Sequence, residues 1–354
     1  MGQIENVIAS ISGIDTEMVK RTQGRLDNLT KPLGSLGRLE ELAKQICGIT
    51  RKEEPSLNNK VIFTLAADHG VTIEGVSAYP QEVTAQMVNN FLAGGAGINV
   101  LARHAGARVV VADIGVAADL KPAQGLVIKK VDRGTKNMAK GPAMIRGEAI
   151  LSVCNGLEIF EDEFKRGIDI AGTGEMGIGN TTAASAIAAV FTQRPIADLT
   201  DKGAGLSNEA VKHKIYTIER AISVNKPDIA DPIDVLSKVG GFEIGGLVGI
   251  ILAAASKNIP VVIDGFISSA AALIAYRLEP KTKDYMIASH SSVERGHRIV
   301  LDYMGLKPIF DLDLRLGEGT GAALAMGIAE VSIKILTQMA TFKSAGVSQG
   351  AARQ

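Results

Sequence analysis

The stretch Leu312-Asp-Leu-Arg-Leu-Gly-Glu-Gly-Thr-Gly-Ala-Ala-Leu-Ala-Met326 changes its period partway along. Up to Leu316 apolar and polar residues alternate as in a strand, and from Thr320 an Ala/Leu/Met run has helical composition. Between them lies the turn Gly317-Glu318-Gly319-Thr320-Gly321. The pattern predicts strand, turn and helix, the unit from which α/β sheets are built. Glu318 stands between two glycines, which permit positive φ and let a backbone approach a ligand closely. A carboxylate there suits a base acting on a flat, close-fitting substrate. The plainer alternative is a solvated Glu on an ordinary connection.

The same pattern recurs upstream. Apolar runs at 61–67, 107–112, 167–171, 259–263 and 285–288, together with 308–316, make about six candidate strands separated by helix-length segments. The fold class expected is α/β: a doubly wound, mostly parallel sheet with helices on both faces. Most of these runs end in a carboxylate or a hydroxyl. In such sheets the ligand crevice lies beyond the carboxyl ends of the strands, so Asp68, Glu175, Asp264, Ser292 and Glu318 are expected to converge. Residues 1–30 carry helix-like spacing, the turn Lys31-Pro-Leu-Gly-Ser-Leu-Gly37 leads into a second helix at 38–49, and the polar run 51–60 reads as a linker. Residues 320–342 read as a long helix and the tail from Lys343 as frayed. The expected domains are a small helical one, 1–59 and 330–354, and a large α/β catalytic one, 60–329.

Composition excludes several function classes. Lys+Arg and Asp+Glu both number 38, aromatic residues make up 4%, and Trp is absent. This argues against a broad nucleic-acid or anionic-membrane footprint and against base-stacking platforms. Cys47 and Cys154 form no CxxC, so no zinc site or disulfide framework is indicated. The first residues lack the form of a signal peptide. The most apolar region, 244–276, is interrupted by Lys257, Asn258, Pro260 and Asp264 and reads as helix, strand, helix rather than a membrane span. The expectation is a soluble, cytoplasmic protein without bound metal or cofactor.

Gly172-Thr-Gly174-Glu-Met-Gly177 spells GxGxxG after one of the apolar runs, so an NAD-dependent oxidoreductase is one reading. Glu175 would then put a negative charge inside the phosphate cradle, and Asp198, the acidic residue expected about 20 positions on, follows only a feeble strand. A single phosphate at the N-terminus of the next helix fits this stretch better. Lys202-Gly-Ala-Gly-Leu-Ser-Asn-Glu-Ala-Val-Lys-His-Lys214 reads as a loop entering a helix capped by Ser207 or Asn208, from which Lys212 or Lys214 can supply a point charge for phosphate. The histidines show no metal-ligand spacing, which leaves His69 as a structural or pocket-lining residue. Asp264 stands without the paired acidic residue that ordinary diphosphate-sugar loops carry.

Several blocks, in this order, resemble one family. They are Lys31-Pro-Leu-Gly-Ser-Leu-Gly37, Ala67-Asp-His-Gly70 with Gly75-Val-Ser-Ala-Tyr-Pro-Gln-Glu-Val-Thr84, and Gly134-Thr-Lys-Asn-Met-Ala-Lys-Gly-Pro-Ala-Met144. Gly174-Glu-Met-Gly-Ile-Gly-Asn-Thr-Thr182, Asp264-Gly-Phe-Ile-Ser-Ser269 and Leu314-Arg-Leu-Gly-Glu-Gly-Thr-Gly-Ala-Ala323 follow. The family is that of the nicotinate-nucleotide:dimethylbenzimidazole phosphoribosyltransferases of cobalamin synthesis. The resemblance implies transfer of phosphoribose from nicotinate mononucleotide to 5,6-dimethylbenzimidazole by a homodimer. It implies Glu318 as catalytic base, with Glu175 and Asp264 as further active-site carboxylates. Phosphate contacts fall on Gly177, Lys214 and Ser292, and the base pocket on Tyr79, Pro80, Gln86, Leu316 and Met326. A non-catalytic carrier of benzimidazole-like bases is a further alternative.

Overall fold

Lys60–Ala67 forms the central strand β1, and every one of its residues is buried. A strand covered on both faces reads as a continuous apolar run, which is why its sequence shows no alternation. The structure, a computed structural model, describes residues 1–201, 205 and 207–348. The other strands are β2 (Ala107–Gly115), β3 (Leu126–Ile128), β4 (Ile170–Met176), β5 (Val261–Ile263) and β6 (Met286–Ala288). All neighbours pair in parallel, in the order β3-β2-β1-β4-β5-β6. The winding reverses between β1 and β4, and a crevice opens beyond the carboxyl ends of strands at such a switch point.

Alternation along β1 sorts its side chains into two layers. Val61, Phe63, Leu65 and Ala67 point into one core with the helices Arg146–Phe164 and Phe242–Ser256. Ile62 and Ala66 point into the other, shared with Ile170, Val262 and Ile287 and with the helices Arg38–Thr50, Gly97–Ala105 and Thr320–Gln338. Thr320–Gln338 is long and apolar enough to cross a bilayer, yet Ala322, Met326, Ala329 and Ile333 are buried in this second layer. Beyond it the chain returns to the N-terminal segment. Leu29 and Thr341 form an antiparallel bridge, the N–H of Thr30 donates to Ala340 O (3.0 Å), and that of Phe342 donates to Asn28 O (3.0 Å).

Three local expectations are corrected. Residues 308–316 do not form a strand: only Phe310 makes an isolated bridge, to His290. Asp313 has φ 54°, which breaks extended pairing, and the alternating Leu312 and Leu316 are exposed instead of facing a core. The sixth strand is instead β3, three residues in a polar setting with too little sequence to show a period. Lastly, β4 runs through the glycines of the GxGxxG motif, so Gly172 and Gly174 lie inside a strand and not on a phosphate loop. A Cβ on Gly172 would stand 2.8 Å from Met326 Cε, and one on Gly174 would stand 2.4 Å from Glu318 O. These glycines let the helix Thr320–Gln338 and the turn before it press onto the sheet. After Glu82 the chain forms two helices, Val83–Ala93 and Gly97–Ala105, parted at Gly94 with φ 77°. Ser207 caps the helix Asn208–Asn225 by accepting from the N–H of Ala210. Residues 202–204 and 206 of the preceding loop, and 349–354 of the tail, lie outside the described residues.

Candidate active site

A cavity of about 660 Å³ opens beyond the carboxyl ends of β4, β5 and β6. Glu318 reaches it from the turn before the helix Thr320–Gln338. Gly317, Glu318 and Gly319 have φ of 80°, 63° and 97°, three left-handed residues in succession. For a glutamate that conformation costs about 1–2 kcal/mol and persists only where the surroundings enforce it. Here Thr64 Oγ1 on β1 donates to Glu318 O (2.9 Å), and Gly174 of β4 lies directly beneath. The carboxylate is nearly buried and accepts a hydrogen bond from the N–H of Ile98 (3.1 Å), in the first turn of the helix Gly97–Ala105. Burial pushes its pKa above the ordinary glutamate value, and the Ile98 N–H pulls the other way.

Glu175 comes from the end of β4. The Asn180 side-chain amide donates to its Oε2, while Oε1 rests against Gly317, where a Cβ would stand 2.3 Å away. Burial, then repulsion from Asp264, Glu243 and Glu318, pushes it up to about 8, so it holds a proton at neutral pH. Asp264, one residue beyond β5, is 1% exposed and does not line the cavity. Its carboxylate accepts from the N–H groups of Gly319 (3.1 Å) and Ala322 (3.0 Å), across the start of the helix that follows Glu318. Burial raises it to about 7 against these bonds.

At the other end of the cavity the helix Asn180–Thr192 begins at Gly179 without a side-chain cap. The N–H groups of Asn180 and Thr182 already donate to Gly177 O and Gly179 O, and the dipole of this N-terminus favours an anion. Gly177 precedes it so closely packed that a Cβ would lie 2.5 Å from Ala67 O. Lys214, 1% exposed, points its Nζ at Thr181 Oγ1 (2.7 Å). Burial lowers it to about 8 against the pull of Glu294 and Asp201. Ser292 lines the same region; its N–H donates to His297 Nδ1 (3.0 Å) and its Oγ accepts from the N–H of Glu294 (3.3 Å). His69 lies beneath Gly177, paired with the fully buried Glu243 at 2.7 Å, as a structural support and not a wall.

The cavity wall therefore brings together Glu318, Glu175, Gly177, Lys214, Ser292, Tyr79 and Leu316. Pro80 and Gln86 lie off it on the exposed surface, and Met326 is fully buried between its helix and β4. Next to Gln86, Met87 faces the cavity, as do Val83 and Met176. Their apolar character carries no signal until the rotation of the helix Val83–Ala93 is known. His290 and Thr181 were also missed. The latter sits one residue into a helix whose N-terminus the sequence does mark.

A phosphoribosyltransferase family model matches residues 11–347. The nicotinate-nucleotide–dimethylbenzimidazole phosphoribosyltransferase of Geobacter sulfurreducens is 54% identical over 350 residues, 99% of both chains. That of Desulforudis audaxviator is 53% identical over 349 residues, again 99% of both. The crystal structure of CobT from Thermus thermophilus superposes with a TM-score of 0.91 at 43% identity, covering 94% of this chain and all of that one. With such identity along its whole length, the chain belongs to the nicotinate-nucleotide–dimethylbenzimidazole phosphoribosyltransferase family.

Proposed function

We propose that this enzyme transfers phosphoribose from nicotinate mononucleotide to 5,6-dimethylbenzimidazole, giving α-ribazole 5′-phosphate and nicotinate. The observation that carries the reading is Glu318, a nearly buried carboxylate with a raised pKa on the wall of a cavity whose far end is built for an anion. The phosphate sits on the N-terminal turn of the helix Asn180–Thr192, with Lys214 as point charge and Gly177 and Ser292 beside it. Tyr79, Leu316, Met87 and Met176 flank the acceptor base.

The donor's pyridinium nitrogen departs with the electrons of the C1′–N bond and becomes neutral, leaving oxocarbenium character on the ribose. One benzimidazole nitrogen attacks C1′ from the opposite face, so a β-linked donor yields an α-linked product. As that bond forms, the other ring N–H turns acidic and Glu318 takes its proton. Glu175, protonated at neutral pH, serves as a hydrogen-bond donor beside the sugar. Asp264 holds the N–H groups that set the turn bearing Glu318, and so acts as a positioning residue. The two free cysteines fit a reducing compartment, and we assign the enzyme to the cytoplasm as a homodimer, the assembly the family resemblance implies. Incubating the protein with nicotinate mononucleotide and dimethylbenzimidazole and separating the products by chromatography tests the function. Release of nicotinate only when the base is present supports it; NADH binding at micromolar concentration without nicotinate release would favour the oxidoreductase reading instead.

A further inference from the structure

His290 lines the cavity, and none of the steps above uses it. It lies just beyond β6, is 2% exposed, and stacks on Phe310 with ring centroids 5.9 Å apart and planes 17° from parallel. Its hydrogen bonding fixes its tautomer. The Ser289 hydroxyl has one hydrogen, and it goes to the carbonyl oxygen of Asp264 at 2.9 Å. Ser289 Oγ can then only accept from its other neighbour, His290 Nδ1, also at 2.9 Å. Nδ1 therefore carries the ring's proton and Nε2 is a bare lone pair. Among the described residues nothing bonds to Nε2. Burial drives the imidazole down to about 4, so it stays neutral.

The position of this lone pair suggests what it meets. A Cβ placed on Gly265, another residue of the cavity wall, would lie 4.0 Å from Nε2, so the missing side chain leaves that edge of the ring open. Gly321, three residues after Glu318, packs tightly on the ring: a Cβ there would stand 2.1 Å from Nδ1 and 2.5 Å from Cε1. Ser292, at the phosphate end, is two residues further along the chain. His290 thus lies on the cavity wall two residues before Ser292 and against the helix start that follows Glu318, and in the proposed reading the sugar of a nucleotide would lie there. An acceptor without a proton calls for a donor there, and a hydroxyl is the neutral group that provides one.

We propose that His290 Nε2 accepts a hydrogen bond from a ribose hydroxyl of the nucleotide donor, making it a substrate-binding residue that selects a ribose and orients it. The proposal rests on the phosphoribosyl-transfer reading. His290→Asn keeps a donor near the position of Nδ1 and removes Nε2; His290→Gln places a terminal amide near Nε2. Binding of nicotinate mononucleotide and of its 2′-deoxy and 3′-deoxy analogues is measured by calorimetry on wild type and both variants, with thermal unfolding as a control. His290→Asn is expected to weaken the ribonucleotide about 10-fold. That penalty should vanish for whichever analogue lacks the partner hydroxyl, and His290→Gln should regain part of it. If the Asn variant does not fold, the Gln variant with the same three ligands completes the comparison. An equal penalty for all three ligands, no penalty at all, or an effect confined to the KM of the benzimidazole would overturn the assignment. Wild-type protein that binds the nucleotide but never releases nicotinate would refute the proposed reaction while leaving the hydroxyl contact to be judged by the binding data.

Discussion

The N–H of Ile98 donates to Glu318 Oε2, so a carboxylate on one turn is held by the N-terminus of a helix 220 residues away in sequence. That contact aims the carboxylate and tempers its basicity, while burial raises it. Glu318→Gln preserves the acceptor for Ile98 but cannot take a proton. It should lower kcat by about 10²–10⁴-fold with the KM values of both substrates little changed. Steady-state kinetics will show this, and near-normal turnover would remove Glu318 from the role of base.

Lys214→Ala should act on binding. A charge-assisted bond to phosphate contributes about 1.5–3 kcal/mol, or roughly 10–100-fold in affinity. Because burial holds Lys214 at about 8 in the empty enzyme, the wild type should bind nicotinate mononucleotide progressively less well as pH rises through 8. The Ala variant should bind weakly and without that decline. A KM unchanged by the substitution would contradict the phosphate contact.

Burial and the neighbouring carboxylates push Glu175 up to about 8 from an ordinary value of 4.5. The folded state holds the proton more tightly than the unfolded chain. Its stabilising contribution is therefore complete below about pH 4.5 and is lost as pH rises through 8. Gln at this position has no charge to bury and still accepts from Asn180. The Tm of Glu175→Gln minus that of wild type should become more positive between pH 5 and pH 8.5, read by calorimetry. A difference constant across that range would mean Glu175 is ionised throughout.

Gly317 has φ 80°, and a Cβ there would meet Glu175 Oε1 at 2.3 Å. Gly317→Ala must therefore displace either the turn or Glu175, besides the left-handed cost of about 1–2 kcal/mol. Activity should fall at least tenfold while circular dichroism keeps the native helix content. Full activity would show that the two carboxylates need not share this wall.

What could be read from the sequence was whatever is encoded locally. The largely apolar run of β1 and the glycine turn around Glu318 both declare themselves within ten residues. The 308–316 segment misled because alternation reports two faces, and there the apolar positions face solvent or the cavity and not a core. Gln86 and Met87 differ only by rotation about a helix axis, which residue types alone did not decide. Asp264 was found as a polar strand end, but its bonds to Gly319 and Ala322 arise from packing between distant segments. The Ile98 contact with Glu318 has the same origin and leaves no trace in either stretch.

The bridge between Leu29 and Thr341 bears on how the enzyme comes into being. All six strands precede Glu318 in the chain, and chains fold progressively as they are synthesised. A nascent molecule can therefore pair its whole sheet while Ile62, Ile170 and Val262 still lack the helix that covers them. Only when that helix emerges, docks and is latched to the segment around Leu29 does Glu318 reach the cavity. The enzyme is born inert and acquires its base only with a helix made after the whole sheet, following a sticky interval in which an uncovered sheet face invites chaperones or aggregation.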